Sequence, residues 1–296
     1  MKNILITGAT SGIGLELTKL VAERNYNIIF IARNEFKSEE LKNSLEKKHN
    51  IKVDYLISDF SDLNSIKIAT KKLIDKKIIF DCVVNNAGKV YFSYGKTKDN
   101  IERSFQINYL SHFYITEKLI KENKFSKNSQ IINISSVAHN PESSINSLDS
   151  LKFKKLVGKI NFKDINYEKE KFRGFTNLFY SRSKMAQIMW SYHRSKSLNN
   201  PYINALHPGL LGSNVIFENG ILGKILTPLF KLFFRSSKDG AENILFVMDK
   251  VFKENLTGKY FDENKISDSH EFSYDLEDQK KLYDLSQNML NERRIT

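Results

Sequence analysis

Apolar residues along the first two thirds of the chain fall into short dense runs separated by longer stretches of helical periodicity. The runs 4–6, Asn27–Ala32, Val53–Ile57, 80–84, 131–135 and 202–206 each hold three or more large apolar side chains, as strands buried on both faces require. Between them, apolar positions recur at three- and four-residue intervals. Ile13, Leu17, Leu20 and Val21 place one apolar stripe on a helix that follows the first strand. Strand and helix in strict alternation predict an α/β domain: a doubly wound, Rossmann-type parallel sheet with helices on both faces. Ligands of such sheets bind at the carboxyl ends of the strands.

The first strand leads into ITGATSGIG, where Gly8, Gly12 and Gly14 stand between a strand and a helix. Gly8 permits the tight exit from the strand, Gly12 lets backbone approach a phosphate, and Gly14 allows the helix to pack closely. The amides of the helix N-terminus then face an anion, which predicts a dinucleotide pyrophosphate here. The opposing reading is a glycine turn that binds no nucleotide.

Composition narrows the classes. The chain has 296 residues, 41% hydrophobic, which suits one large domain, and four prolines and 13 glycines leave little for a linker. A single domain over 1–296 is expected, with an insertion at the active-site mouth over about 137–175, a lid over about 210–238 and a C-terminal helical extension over about 275–294. Cys82 is the one cysteine, so no internal disulfide framework forms and a reducing, cytoplasmic setting is expected. MKNILITGAT passes into a strand without a long apolar core, so no cleaved signal is expected. The net charge of +12 is spread among Glu and Asp, and short clusters such as Lys152 to Lys155 are not a basic arm. No specific nucleic-acid binding is expected.

Arg33 follows the second strand, nineteen positions beyond Gly14. A carboxylate near there would bind the ribose 2'-hydroxyl of NAD(H), whereas an arginine suits the 2'-phosphate of NADP(H). NADP(H) is therefore expected over NAD(H), against the alternative of an ordinary surface arginine. NNAG at 85–88 leaves the fourth strand with two amides that tie strands together, then Ala87 and Gly88, small enough for backbone to lie against a flat ligand. The fifth strand delivers Ser135 and Ser136 to the same edge. In YSRSK, Tyr180 and Lys184 are four apart and share a helix face. An ammonium beside a phenol favours phenolate, and bringing a tyrosine from its usual value of about 10 to neutrality takes roughly 4 kcal/mol.

TGATSGIG, NNAG, Asn108, Ser136, YSRSK and HPG at 207–209, in this order, resemble the short-chain dehydrogenase/reductase family over residues 1 to about 262. SSVAHN, FRGFTNLFYSRSK, HPG and the late GKYF are similar to its retinol dehydrogenase and carbonyl reductase group. The resemblance implies that Tyr180 is the general acid or base, that Ser136 bonds the reacting oxygen, and that Lys184 holds the nicotinamide ribose and lowers the Tyr180 pKa. It also implies that Asn108 positions a water linking Lys184 to solvent. Gly8, Ser11, Gly12 and Ile13 would line the phosphates, Asp59 would meet the adenine and Asn86 the adenosine ribose. Pro208, Gly209 and Ser213 would lie along the nicotinamide side. No metal is implied. Alternatives stay open at this point: Ser135 as the working hydroxyl, Asn108 as a satisfied helix residue, Asp59 as a helix cap. His112, His139 and His207 have no metal-ligand spacing and are read as structural.

Ser136 and Tyr180 are 44 positions apart, a longer interval than in many members of the family, and it carries Lys159, Lys163 and the run KEKFR. Substrate choice is expected to depend on this insertion and on GILGKILTPLFKLFFR at 220–235, whose large apolar residues imply a lipophilic aldehyde, ketone or alcohol. That run reads as a lid packed on its own core, in preference to one that also touches a membrane surface. The 275–294 segment reads as a clamp, with Leu276, Leu282, Leu285, Met289 and Leu290 toward the body. A homodimer through the helices bearing Asn108 and Tyr180 and a monomer both remain open. The reading is a short-chain NADP(H)-dependent oxidoreductase. Its rivals are a catalytically idle NADP(H)-binding scaffold or sensor and a double-bond reductase resembling protochlorophyllide reductase.

Overall fold

The structure, a computed structural model, describes residues 1–91, 93–143, 156–170, 178–210 and 236–295. Eight strands form one sheet in the order β3-β2-β1-β4-β5-β6-β7-β8, with β1 Asn3–Thr7, β2 Asn27–Ala32, β3 Val53–Ile57, β4 Phe80–Asn85, β5 Phe125–Ile134, β6 Tyr202–His207, β7 Tyr260–Asp262 and β8 Lys265–Ser267. Every pairing is parallel except β7 with β8. The order reverses between β1 and β4, which opens a crevice at their carboxyl ends.

Alternation along the strands explains the two layers. On β1, Ile4 and Ile6 enter a core with Leu17, Val21, Leu41, Ile244 and Val251. Leu5 faces the other way, into a core with Leu63, Ile66, Phe113, Met189 and Trp190. Helices Gly12–Glu23, Glu35–Lys48 and Ser237–Glu254 cover the first face, and Leu63–Asp75, Ser111–Lys121 and Leu178–Ser195 the second. Asn34, Asp62, Ser236 and Asp275 cap their helices by accepting from backbone amides, and Ser236 with Asp239 forms a reciprocal capping box.

Three details depart from the sequence expectation. β5 begins at Phe125, six residues earlier than its apolar run, and its register against β4 shifts between Phe80 and Cys82. β7 and β8 extend the sheet beyond the predicted runs, because β7 is only three residues long, with Tyr260 and Phe261 buried, and β8 is an exposed edge that buries nothing. In the C-terminal helix Leu276–Glu292, Leu282, Met289 and Leu290 are buried as expected, but Leu276 is 63% exposed. It follows the capping Asp275 and lies about a quarter turn off the buried stripe.

That helix is tied to the body through Leu282 in the second core, a Tyr109 to Ser286 hydroxyl bond of 2.8 Å, and a Phe113–Tyr283 ring contact at 5.4 Å. Leu282→Ala is expected to cost about 2–4 kcal/mol, by lost apolar transfer plus the cavity left behind. Urea denaturation should show a lower midpoint with unchanged slope. A midpoint equal to wild type means the helix does not clamp the body.

Candidate active site

The crevice is held together by Thr7. Its hydroxyl accepts from the backbone amides of Asn86 and Ala87, both at 2.9 Å, and the Asn86 side chain donates back to the Thr7 carbonyl at 2.9 Å. Asn85 donates to Thr116 at 3.0 Å and to Asn133 at 2.7 Å, and Asn133 donates to Ser191 at 2.8 Å. The NNAG amides therefore tie strands and helices at this edge, as the strand-joining reading required. Asn133, buried in the apolar IINIS run, gave no signal as their partner.

Helix Gly12–Glu23 points its N-terminus at this crevice in an unusual state. Ser11 occupies the cap position with extended backbone, but its side chain makes no cap bond and the first turn has no acid. Amides left without a side-chain acceptor at a helix start suit an anion. A Cβ on Gly12 would meet nothing within 4 Å, so the turn is open on that side, whereas one on Gly14 would lie 2.2 Å from the Gly8 carbonyl oxygen. Gly8 and Gly12 hold φ of +74° and +56°, which glycine adopts without strain. This cradle fits a nucleotide pyrophosphate.

Arg33 stands exposed just past β2, and no hydrogen bond or ion pair of its guanidinium occurs among the described residues. Asp59, just past β3, accepts from the Ser61 amide at 2.9 Å, while the cap of the next helix is Asp62. Pro208 and Gly209 follow β6, with the Pro208 carbonyl accepting from Asn243 at 3.1 Å. Ser213 and the run 220–235 lie outside the described residues, as do Lys152 to Lys155 and part of KEKFR. The described parts of the long interval pack on the Tyr180 helix: Gly158 N donates to Ser181 at 3.1 Å, and the buried Arg182 guanidinium sits 4.1 Å from the Tyr167 ring centre.

Ser136, Tyr180 and Lys184 come together. The Ser136 hydroxyl lies near enough to the Tyr180 phenol to lower its pKa, and the Lys184 amine lies 5.5 Å from the centre of the Tyr180 ring. The structure distinguishes the two serines. Ser135 spends its hydroxyl on the Lys184 main-chain carbonyl at 2.9 Å, whereas Ser136 faces Tyr180 and accepts from the Ala138 amide at 3.2 Å. Lys184 is 3% exposed and donates to the Ile134 carbonyl at 2.7 Å and to Gln187 Oε1 at 3.1 Å.

Asn108 lies within a π-helical turn, Gln106–Leu110, between the short turn Arg103–Phe105 and helix Ser111–Lys121. Such wide turns re-aim backbone groups and recur at functional sites. The Asn108 side chain bonds the Lys89 backbone in both directions, at 2.8 and 3.1 Å, and donates to Ser183 at 3.0 Å. Its carbonyl accepts from His112 at 3.0 Å and from Gln187 at 2.8 Å. The link from Lys184 to Asn108 thus runs through the Gln187 amide. No signal beyond a polar residue on a helix pointed to Gln187.

The electrostatics differ from the sequence expectation. Burial pushes the Tyr180 phenol up to about 12, opposed by the Ser136 hydrogen bond, rather than toward neutrality. Burial also brings Lys184 down to about 7. An amine that is itself desolvated and partly neutral is a weak source of the field that favours phenolate. The phenol therefore holds its proton at neutral pH, the form a proton donor needs. His112 and His139, lowered by burial to about 3 and 4, are neutral there, consistent with their structural reading. Among the described residues no group of three or more His, Cys, Asp or Glu is arranged to hold a metal, and no helix is long and apolar enough to cross a membrane.

A Rossmann-type sheet with an uncapped glycine turn and a Ser, Tyr and Lys cluster at its carboxyl edge suits a nucleotide-dependent oxidoreductase. Comparison with known proteins agrees. The sequence model of the short chain dehydrogenase family matches residues 2–147. Retinol dehydrogenase 13 of Mus musculus is 32% identical over 88% of this chain and 75% of its own length, and retinol dehydrogenase 12 of Homo sapiens is 30% identical over 89% and 78%. Among solved structures, an angucycline C-6 ketoreductase with bound NADP superposes with a TM-score of 0.64 at 17% identity, covering 88% of this chain and 93% of that one. The chain belongs to the short-chain dehydrogenase/reductase family and is an oxidoreductase acting on CH–OH or C=O groups.

Proposed function

We propose that this protein is an NADP(H)-dependent reductase or dehydrogenase of lipophilic aldehydes, ketones or alcohols. The carrying observation is the Ser136–Tyr180 hydroxyl pair beside buried Lys184, at the same sheet edge as the uncapped glycine turn. Gly8, Ser11, Gly12, Ile13 and Gly14 would hold the pyrophosphate, Asp59 and Asn86 the adenosine, and Pro208, Gly209 and Ser213 the nicotinamide side. The bound cofactor supplies or takes up the hydride. Tyr180 donates its proton to the carbonyl oxygen in reduction and receives one from the alcohol in oxidation. Ser136 bonds that oxygen, and Lys184 bonds the ribose. The names of the retinol dehydrogenases similar to this chain, and the apolar sequence of 220–235, support a lipophilic substrate.

Oxidation of NADPH and NADH against retinal, long-chain aldehydes, steroid ketones and small aromatic carbonyls tests the reading and ranks the substrates. Arg33, exposed and with no ion pair among the described residues, supports NADP(H), and Arg33→Ala isolates that choice. A charge-assisted bond contributes about 1.5–3 kcal/mol, so the variant should bind NADPH about 10- to 100-fold more weakly with NADH affinity unchanged. Equal use of both cofactors by the wild type overturns the role of Arg33.

A further inference from the structure

We infer that Gln187 is a positioning residue for Lys184, holding the amine in place through an amide bridge to the Asn108 carbonyl. The inference rests on the proposed role of Lys184 at the proton-transfer site. Gln187 lies one helical turn beyond Lys184's own position and is 0% exposed. Its Oε1 accepts from Lys184 Nζ at 3.1 Å and its Nε2 donates to the Asn108 carbonyl at 2.8 Å. The amide orientation is forced: an amine has protons to give, and a carbonyl can only accept.

The bridge is anchored at its far end. The Asn108 carbonyl also faces His112 Nδ1 at 3.0 Å, so that nitrogen carries the ring proton. His112 Nε2 must then accept from the Thr7 hydroxyl at 2.9 Å. Thr7 adjoins Gly8 and receives the amides of Asn86 and Ala87. One continuous set of bonds therefore joins the lysine to the phosphate turn, and the π-helical turn brings the Asn108 carbonyl within reach of two side-chain donors.

In the protonated form of Lys184 the bridge uses one amine proton, the Ile134 carbonyl at 2.7 Å uses a second, and a third remains for the crevice. Two fixed acceptors determine where that third proton points. With the Ile134 carbonyl alone, the flexible four-carbon stem leaves the amine free to rotate.

Gln187→Met keeps the length and removes both bonds, and Gln187→Asn keeps the amide on a shorter arm. In a crystal structure of Gln187→Met without added cofactor, Lys184 Nζ is expected to leave its wild-type position or adopt more than one, with the fold unchanged. In the active enzyme, kcat should fall about 10- to 100-fold, the range expected for a misplaced reacting group. The rising pH limb of alcohol oxidation should move, and Gln187→Asn should restore part of both. A merely space-filling glutamine would give a Met variant with Lys184 in place and the pH limb unmoved, and either result overturns the inference. If Gln187→Met fails to fold, Gln187→Asn is read instead: a displaced Lys184 amine supports the bridge and an unmoved one overturns it. A wild type that reduces nothing in the panel while Lys184 still moves in the variant counts against the proposed function alone.

Discussion

Tyr180→Phe is expected to abolish carbonyl reduction to within detection, a fall of about 10²- to 10⁴-fold in kcat, while NADPH affinity stays within a few-fold of wild type. The substitution removes one oxygen from a side chain whose ring otherwise keeps its packing, and it leaves Ser136 bonded to the Ala138 amide at 3.2 Å. Stability should therefore change little. The protonated phenol also sets a sign. Because burial holds it up at about 12, its acid form is fully present through neutral pH. The phenol itself should impose no pH dependence on reduction there, whereas oxidation, which needs the deprotonated oxygen, should rise with pH. Stopped-flow NADPH oxidation beside fluorescence titration of NADPH separates chemistry from binding. Turnover surviving in the variant would mean that another group supplies the proton. Tight NADPH binding by an inert wild type would support a binding scaffold instead.

The parts of the site that depend on local chain geometry were legible in the sequence. Gly8, Gly12 and Gly14 are read from a strand, a turn and a helix within a dozen residues, and Tyr180 and Lys184 from one helical turn. The first six strands were visible because a sheet covered on both faces needs unbroken apolar runs. What depends on distant contacts was not. Ser135 and Ser136 are adjacent and chemically alike, and only the Lys184 carbonyl lying against one of them tells them apart. The wide turn at Gln106–Leu110 has no proline or glycine to announce it. Thr7 opens the glycine motif with no role of its own to read, and His112, Asn133 and Gln187 read as isolated polar residues within apolar surroundings, yet they form the buried bonds that hold the crevice. Neighbouring residues type alone led to the expectation of a depressed Tyr180. The depth at which Tyr180 and Lys184 lie, which no spacing encodes, decides the direction.

Gly14→Ala should be the most damaging single change at the phosphate turn. Intrinsic helix propensity argues the other way, since alanine is favoured over glycine in a helix by about 1 kcal/mol. Space decides against it. The added Cβ would lie 2.2 Å from the Gly8 carbonyl oxygen, 2.9 Å from its carbon and 2.6 Å from Asn86 Nδ2, well inside the 3.4 Å at which ordinary contact begins. Two of these atoms are backbone and cannot rotate away. Asn86 is itself bonded to the Thr7 carbonyl, so its movement loosens the join between β1 and β4. Relief requires the helix to back off by about 1 Å, which costs about 1–3 kcal/mol or more in a close-packed setting and withdraws the amides proposed to face the phosphates. Gly12→Ala makes the comparison. It meets no atom within 4 Å, and its cost is the φ of +56°, about 1–2 kcal/mol. Urea denaturation and NADPH titration of both variants should show Gly14→Ala losing stability and at least about 100-fold in cofactor affinity, consistent with anion binding by positioned helix amides. Gly12→Ala should retain more of each. A Gly14→Ala protein with wild-type midpoint and affinity would mean that helix Gly12–Glu23 does not approach the Gly8 turn this closely.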